Sequence, residues 1–261
     1  MEATDRFAEL VAAPGDDLPL DLASLLIAQH ARPDLDVDRE MGQLDELAAG
    51  CPAPTLDALV DHLFVELGYS GNSANYYDPR NSYLDQVVTR RLGIPITLSV
   101  LAIVVGRRLG VPLAGVGMPG HFLVRDRVDD SVFVDPFVGG RLLDQAGCAA
   151  VFSTLHGPEA PFLDRFLDPV SPQLIVARML ANLRSVFISQ GDRSSMLWVL
   201  RLRTLLPDAS PEDRADFAGC LAATGRFGEA AAEYDDAAQR FGGSLGEELS
   251  RSAARLRARL N

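Results

Sequence analysis

From Thr97 to Leu109 nearly every residue is apolar, including Leu98, Val100, Leu101, Ala102, Ile103, Val104 and Val105. A helix over this stretch has no polar face, so it has to be surrounded by the rest of the chain. Pro95 suits the first helical turn, where its missing N–H costs nothing, and Arg107 and Arg108 suit the last, where cations meet the helix dipole. Gly110 and Pro112 end it. A bilayer needs roughly 20 apolar residues, so this is a core helix and not a membrane span.

Three runs with strand character follow: Leu113 to Met118, Phe122 to Arg125 and Ser131 to Val134. The turn residues Arg127, Val128, Asp129 and Asp130 separate the last two. A turn centred on Val128 pairs Phe122 with Val134, Leu123 with Phe133 and Val124 with Val132, and sets His121 opposite Asp135. A carboxylate within hydrogen-bonding reach of an imidazole fixes its tautomer and raises its basicity, which is the orienting half of a catalytic triad.

The phrases DHLFVELGYSGN, YYDPRNSYLDQVVTRRLGIPITLSVL, GVGMPGHFLVR and FVDPF resemble the bacterial SirB-type family, which joins a transglutaminase-like domain to tetratricopeptide repeats. The resemblance covers essentially the whole chain. It implies an α+β fold of transglutaminase-like or papain-like type: a mainly helical N-terminal part plus a small antiparallel sheet packed on a buried central helix. An all-α helical repeat array is expected to follow. His121 and Asp135 match the family's histidine and aspartate. Pro95, or a neighbour, stands where transglutaminases carry cysteine.

Composition narrows the partners. The 36 acidic residues outnumber the 24 basic ones, giving a formal charge of −12, which argues against nucleic acid or an anionic lipid surface. Cys51, Cys148 and Cys220 are odd in number and far apart, so a reducing cytoplasm is expected, and the start MEATDRFAEL has no export signal.

Helices are expected at Asp5 to Ala12, Leu20 to Gln29, Asp38 to Ala49 and Thr55 to Leu67, punctuated by Pro14-Gly15, Arg32-Pro33 and Gly50-Cys51-Pro52. The polar loop Gly68 to Arg80 leads into the central segment; an ordinary connecting loop is the preferred reading, and a cover over the His121 region the alternative. Proline-rich Gly157 to Pro172 reads as a domain boundary, dividing a transglutaminase-like domain over 1–165 from repeats over 171–261. There, Leu183, Phe187, Gly191, Met196 and Leu200 recur as Phe217, Leu221, Gly225, Ala230 and Tyr234, each displaced by the tetratricopeptide period of about 34 residues. Two such units need further apolar surface to cover them, so docking on the first domain is expected, with Leu249 to Leu260 as a cap.

Several motifs lead nowhere. Gly115 to Gly120 fits GxGxxG, but a strand follows where a dinucleotide site needs a helix. Asp34, Asp36 and Asp38 open like a calcium loop, yet Arg39 holds the glycine position and Asp45 the bidentate glutamate position. His30, His62, His121 and His156 lack metal-ligand spacing, so neither metal nor cofactor is expected.

The candidate site is therefore His121 and Asp135 as catalytic pair, with Asn81, Ser82, Pro95, Thr97 and Ser99 lining the pocket. Thr97 and Ser99 lie in the helix's first turns, where backbone N–H groups form an anion site, but their hydroxyls need a base to act as nucleophiles. For Asn81 and Ser82 the competing reading is capping of a helix through Tyr83, Leu84 and Val87. Two functions follow: a binding or regulatory protein that recruits a protein partner through the repeats, or an amide-bond hydrolase or acyltransferase that uses His121 and Asp135 without cysteine.

Overall fold

The computed structural model describes residues 3–13 and 18–259. The chain divides into two compact units, Pro14–Met179 and a second made of Met1–Ala13 with Leu180–Asn261. Pro14 and Gly15, expected as a helix stop, and Leu260, the expected end of the cap, lie outside the described residues.

The short helix α1 (Ala3–Ala12) belongs to the second unit, described below. Pro14–Met179 then opens with α2 (Leu20–Ala31), α3 (Val37–Ala49) and α4 (Leu56–Val60), the last continuing as a π-helical turn over Asp61–Glu66. Local chemistry sets their starts: Asp36 accepts from the Arg39 N–H at 3.1 Å, and Thr55 from Ala58 at 3.3 Å. Two-residue strands β1 (Ser70–Gly71) and β2 (Leu92–Gly93) pair in parallel around α5 (Leu84–Arg90).

Helix α6 (Pro95–Leu109) is buried along most of its length, with Leu98, Val100, Leu101 and Val105 fully inaccessible. Pro95 opens it, and Gly110 closes it in the left-handed conformation at φ 78°. It packs against α2, α3, α5 and the antiparallel sheet β3 (Leu113–Val116), β4 (Leu123–Asp126), β5 (Phe133–Asp135), β6 (Arg141–Leu143).

The register departs from expectation. Val124 faces Val134 and not Val132, a slip of two residues (134 − 132). The cause lies in the connecting aspartates: Asp126 accepts from Val128 N–H at 2.9 Å, and Asp129 from the N–H and hydroxyl of Ser131 at 3.1 and 2.6 Å. These side-chain bonds move the turn onto Asp129. An even slip leaves every side chain on its original face, so the core is preserved. The fourth strand, β6, extends the three expected from sequence.

Helix α7 (Gln145–His156) covers the sheet, burying Cys148 and Phe152 with Val116, Met118, Leu123, Phe133 and Leu167. The N-terminal part of α8 (Pro172–Gln190), through Met179, completes this unit.

Among the described residues the regular elements of the second unit are all helices: α1, the rest of α8, α9 (Arg193–Leu205), α10 (Pro211–Ala223), α11 (Phe227–Phe241) and α12 (Gly243–Arg257). Consecutive helices from α9 onward pack on one another, around Leu200, Phe217, Leu221 and Ala230. Gly191 and Gly225, one period apart in the sequence, both take positive φ (67° and 80°) where one helix gives way to the next. Helix α1 packs on α9, with Phe7 and Val11 buried. No helix of the described residues is long and apolar enough to cross a membrane.

Candidate functional site

His121 lies two positions before β4 and Asp135 at the end of β5, and the imidazole Nε2 is 3.0 Å from Asp135 Oδ1. In the shifted register the two are not directly opposite; His121 reaches along the sheet to its partner. Its delivery depends on a tight turn. Pro119 and Gly120 occupy the central positions, Gly120 takes φ 74°, and the His121 N–H bonds to the Met118 carbonyl at 3.0 Å, the pattern of a type II turn. The literal GxGxxG string is this turn.

Two side chains grip the turn from outside. The Arg178 guanidinium donates to the carbonyls of Gly117 (2.7 Å), Met118 (3.4 Å) and His121 (3.3 Å), and lies over the Phe122 ring at 5.2 Å. Burial holds its pKa below the usual arginine range. On the other side, His156 Nε2 sits 3.0 Å from the Pro119 carbonyl, its ring stacked on Phe152.

Asp135 is wholly buried, and its Oδ1 also accepts from the N–H groups of Phe137 (3.2 Å) and Val138 (3.4 Å), which caps the 3-10 turn Pro136–Val138. Arg141 approaches Oδ2 at 3.9 Å. With Nε2–H given to a carboxylate, the neutral imidazole keeps its lone pair on Nδ1. No described residue hydrogen-bonds to that nitrogen.

The His121 ring, with only 9% of its side chain exposed, borders a cavity of about 560 Å³. Pro95 at the start of α6, Asp135, Phe137, Val138 and Arg141 share its wall, as do Ser73 and Tyr76 from the polar loop and Val151, Thr154 and Leu155 from α7. Phe137 is keyed into place: a β-carbon on Gly71 would sit 2.4 Å from its ring.

Of the residues expected to line this pocket, His121, Asp135 and Pro95 do so; Asn81, Ser82, Thr97 and Ser99 are buried away from it. Asn81 instead ties down the loop, donating to the carbonyls of Asn75 (2.8 Å) and Tyr76 (3.1 Å) and accepting from Asn72 (3.0 Å). Nor does it cap α5, whose N-cap position is Tyr83 and which has no side-chain capping hydrogen bond. Thr97 donates to the Asn81 carbonyl at 2.6 Å, so its hydroxyl is structural. The Ser99 hydroxyl is buried with no hydrogen-bond partner. Tyr76, Phe137 and Arg141 were not foreseen; only the tyrosine had a signal, its place in a polar loop for which a cover over His121 was the less favoured reading.

Asp78 secures the same loop. Arg80 and Arg90 both donate to it, at 3.0 and 3.3 Å, and the hydrogen bond from Arg80 is the main cause holding its carboxyl below the usual carboxylate range, against the opposing effect of burial. A depressed folded-state pKa gives stability that is present above the unfolded value and lost as pH falls through the folded one. Acidification below about pH 4 is therefore expected to loosen the 72–78 loop before the sheet, read as earlier loss of amide-exchange protection at Asn75 than at Val124.

No cysteine lines the cavity. Cys148 is buried in the apolar cluster behind the sheet, and burial, reinforced by the charges of Asp144 and Asp135, pushes its thiol up to about 11. Such a thiol is protonated near neutral pH and is a poor nucleophile. Among the described residues, no cluster of three or more His, Cys, Asp or Glu side chains is placed to hold a metal ion.

Residues 27–181 match the family described as the transglutaminase-like superfamily. A UPF0162 protein of Xylella fastidiosa is 45% identical over 204 residues, 71% of this chain and 72% of the relative. A UPF0162 protein of Vibrio cholerae is 32% identical over 161 residues, 60% of this chain and 59% of the relative. The F-box only protein 21 of Mus musculus is 35% identical over 152 residues, 54% of this chain but 23% of that protein. No solved structure matches the chain significantly. By the extent of these matches, the chain belongs to the transglutaminase-like superfamily and, within it, to the UPF0162 proteins.

Proposed function

We propose that this protein is a SirB-type binding or regulatory member of its superfamily: a transglutaminase-like domain without the usual catalytic cysteine, kept for its cavity. The paired helices from α8 onward then act as a tetratricopeptide-like array that recruits a partner protein. One observation carries the reading. The first residue of α6, on the cavity wall beside His121, is Pro95, and the single buried thiol is held protonated in the core. A proline side chain supplies neither nucleophile nor proton.

The alternative, a hydrolase or acyltransferase working through His121 and Asp135, draws on the unpartnered Nδ1 of His121, a residue of the cavity wall. It requires an activated water or an unconventional hydroxyl, and Thr97 is already committed to Asn81.

His121→Gln separates the two. Under the binding reading, the expected result is a loss of about 1–3 kcal/mol of stability by urea unfolding, from one charge-assisted hydrogen bond, with no amide or ester hydrolysis and no transamidation to lose. Turnover by the wild type that falls roughly a thousandfold or more in this variant, with folding intact, would instead establish the hydrolase. Thiol alkylation of the native protein serves as the control and is expected to change no activity.

A further inference from the structure

We propose that the groove between the β4–β5 hairpin, the start of α7 and the 3-10 turn Asp164–Leu167 docks an arginine-bearing, otherwise apolar peptide segment of a partner protein. The groove shares no wall residue with the His121 cavity and lies outside the repeats, so it stands or falls apart from the function proposed above.

Its floor is apolar. Phe133, Ala146, Ala149, Phe162 and Leu167 line a space of about 850 Å³. Phe133 and Leu167 belong to the buried cluster around Cys148 and Phe152. The Phe162 ring is partly buried and set edge to face against Phe152 at 5.6 Å and Phe166 at 6.0 Å. A wall held in this way is preorganised, which lowers the ordering cost when a peptide settles on it.

Its rim is acidic. Asp130, Asp144, Asp164 and Asp168 border the groove against one cation, Arg125. Of the four, only Asp130 has a cationic partner among the described residues, Arg125 at 3.2 Å. Asp164 accepts from the Gln145 amide at 2.9 Å and Asp144 from the Gly147 N–H at 2.7 Å, neutral donors that leave both charges standing. Asp144 also answers the one feature of the wall that favours an anion. The first turn of α7 lines the groove, and its positive end is already capped by this carboxylate. A cleft bordered by one sign of charge over apolar walls concentrates the opposite sign.

The acidic rim asks only for a cation; Arg125 shows which kind the wall suits. Its guanidinium lies over the Phe133 ring at 5.5 Å and is held by the Asp130 carbonyl at 2.7 Å and carboxylate at 3.2 Å. The groove therefore already carries one guanidinium on an aromatic face beside a carboxylate. Phe162, Asp164 and Asp168 supply the same kinds of group again, and no arginine among the described residues lies over that ring or pairs with those two carboxylates. A planar guanidinium stacks on a ring and pairs with a carboxylate at once, whereas an ammonium is a point charge that holds its water more tightly.

Titration calorimetry on the full chain would use three blocked pentapeptides that alternate leucine with arginine, lysine or citrulline, the last a neutral counterpart of arginine. The arginine peptide is expected to bind about tenfold or more tighter than the citrulline one, with lysine between them, because a cation–π contact and exposed ion pairs add. Raising salt from about 0.05 to about 0.5 M is expected to weaken the arginine peptide and leave the citrulline one nearly unchanged. The double variant Asp164→Asn, Asp168→Asn is expected to lower affinity for the arginine peptide severalfold at an unchanged thermal midpoint, since both residues are exposed and asparagine keeps the acceptor for Gln145. A chain of net charge −12 attracts basic peptides everywhere, so Asp34→Asn, Asp38→Asn, two exposed carboxylates away from the groove, removes the same charge as a control. Equal affinity for the arginine and citrulline peptides, or an equal loss in the two double variants, would overturn the proposal. Self-association of the chain in sedimentation velocity that Asp164→Asn, Asp168→Asn abolishes would overturn it too, by making a second copy the occupant.

Discussion

Replacing Arg178 by methionine is expected to destabilise Pro14–Met179 by about 1–3 kcal/mol, the range for leaving a buried hydrogen-bond acceptor unsatisfied. The guanidinium is the shared donor to three turn carbonyls, at 2.7, 3.4 and 3.3 Å, and methionine has nothing to give them. Leaving a buried acceptor unsatisfied costs about 1–3 kcal/mol, more than the hydrogen bond gained when it was made. The guanidinium that lies over the Phe122 ring goes too, so a cation–π contact adds to the loss. Urea unfolding reads the total. Nitrogen chemical shifts of the His121 imidazole read the local consequence, since a loosened turn lets Nε2 leave Asp135 and the ring sample both tautomers. A variant within about 1 kcal/mol of the wild type would show that solvent replaces the guanidinium at no cost, and the turn would not need its clamp.

The second large effect is expected at the other end of the sequence. Phe7→Ala should cost the helical unit about 3–5 kcal/mol, the range for removing a buried aromatic side chain. Phe7 is fully inaccessible, and α1 packs on α9 although nearly two hundred residues separate them in the chain. Hydrogen exchange is the appropriate measurement, because two units need not unfold together. Protection is expected to fall in α9 and α10 and to hold in α6. Unchanged protection in α9 would mean that the N-terminal helix covers nothing the unit needs.

Much of the first unit was legible because its signals are local. The apolar run of α6, with proline at its start and glycine at its end, admits one structure. The β4–β5 register was not, because Asp126 and Asp129 compete through their side chains for the turn, and residue alternation cannot distinguish slips of two. Strand β6 is three residues long and follows two glycines of positive φ, so no alternation had room to develop.

The His121–Asp135 pair was readable because a hairpin brings it together over a short span. The remaining cavity wall was not, since loop, helix start, 3-10 turn and α7 meet only in the folded chain. Asn81 shows the difference: its composition suggested a pocket or a cap, and its buried amide turned out to organise the Tyr76 loop. The partner of α1 was equally invisible, because amphipathic spacing says that a face is covered without saying by what.

The contact between Gly71 and Phe137 also constrains the order in which this site can change. A methyl group at position 71 collides with the ring, whereas trimming the ring first opens room for it. Divergence thus has a ratchet: small side chains at 137 must precede any at 71, and once 71 has filled, restoring the aromatic is blocked. The His121–Asp135 hydrogen bond does not use the ring, so the pair can outlast the surface beside it and alone is a poor guide to shared ligands.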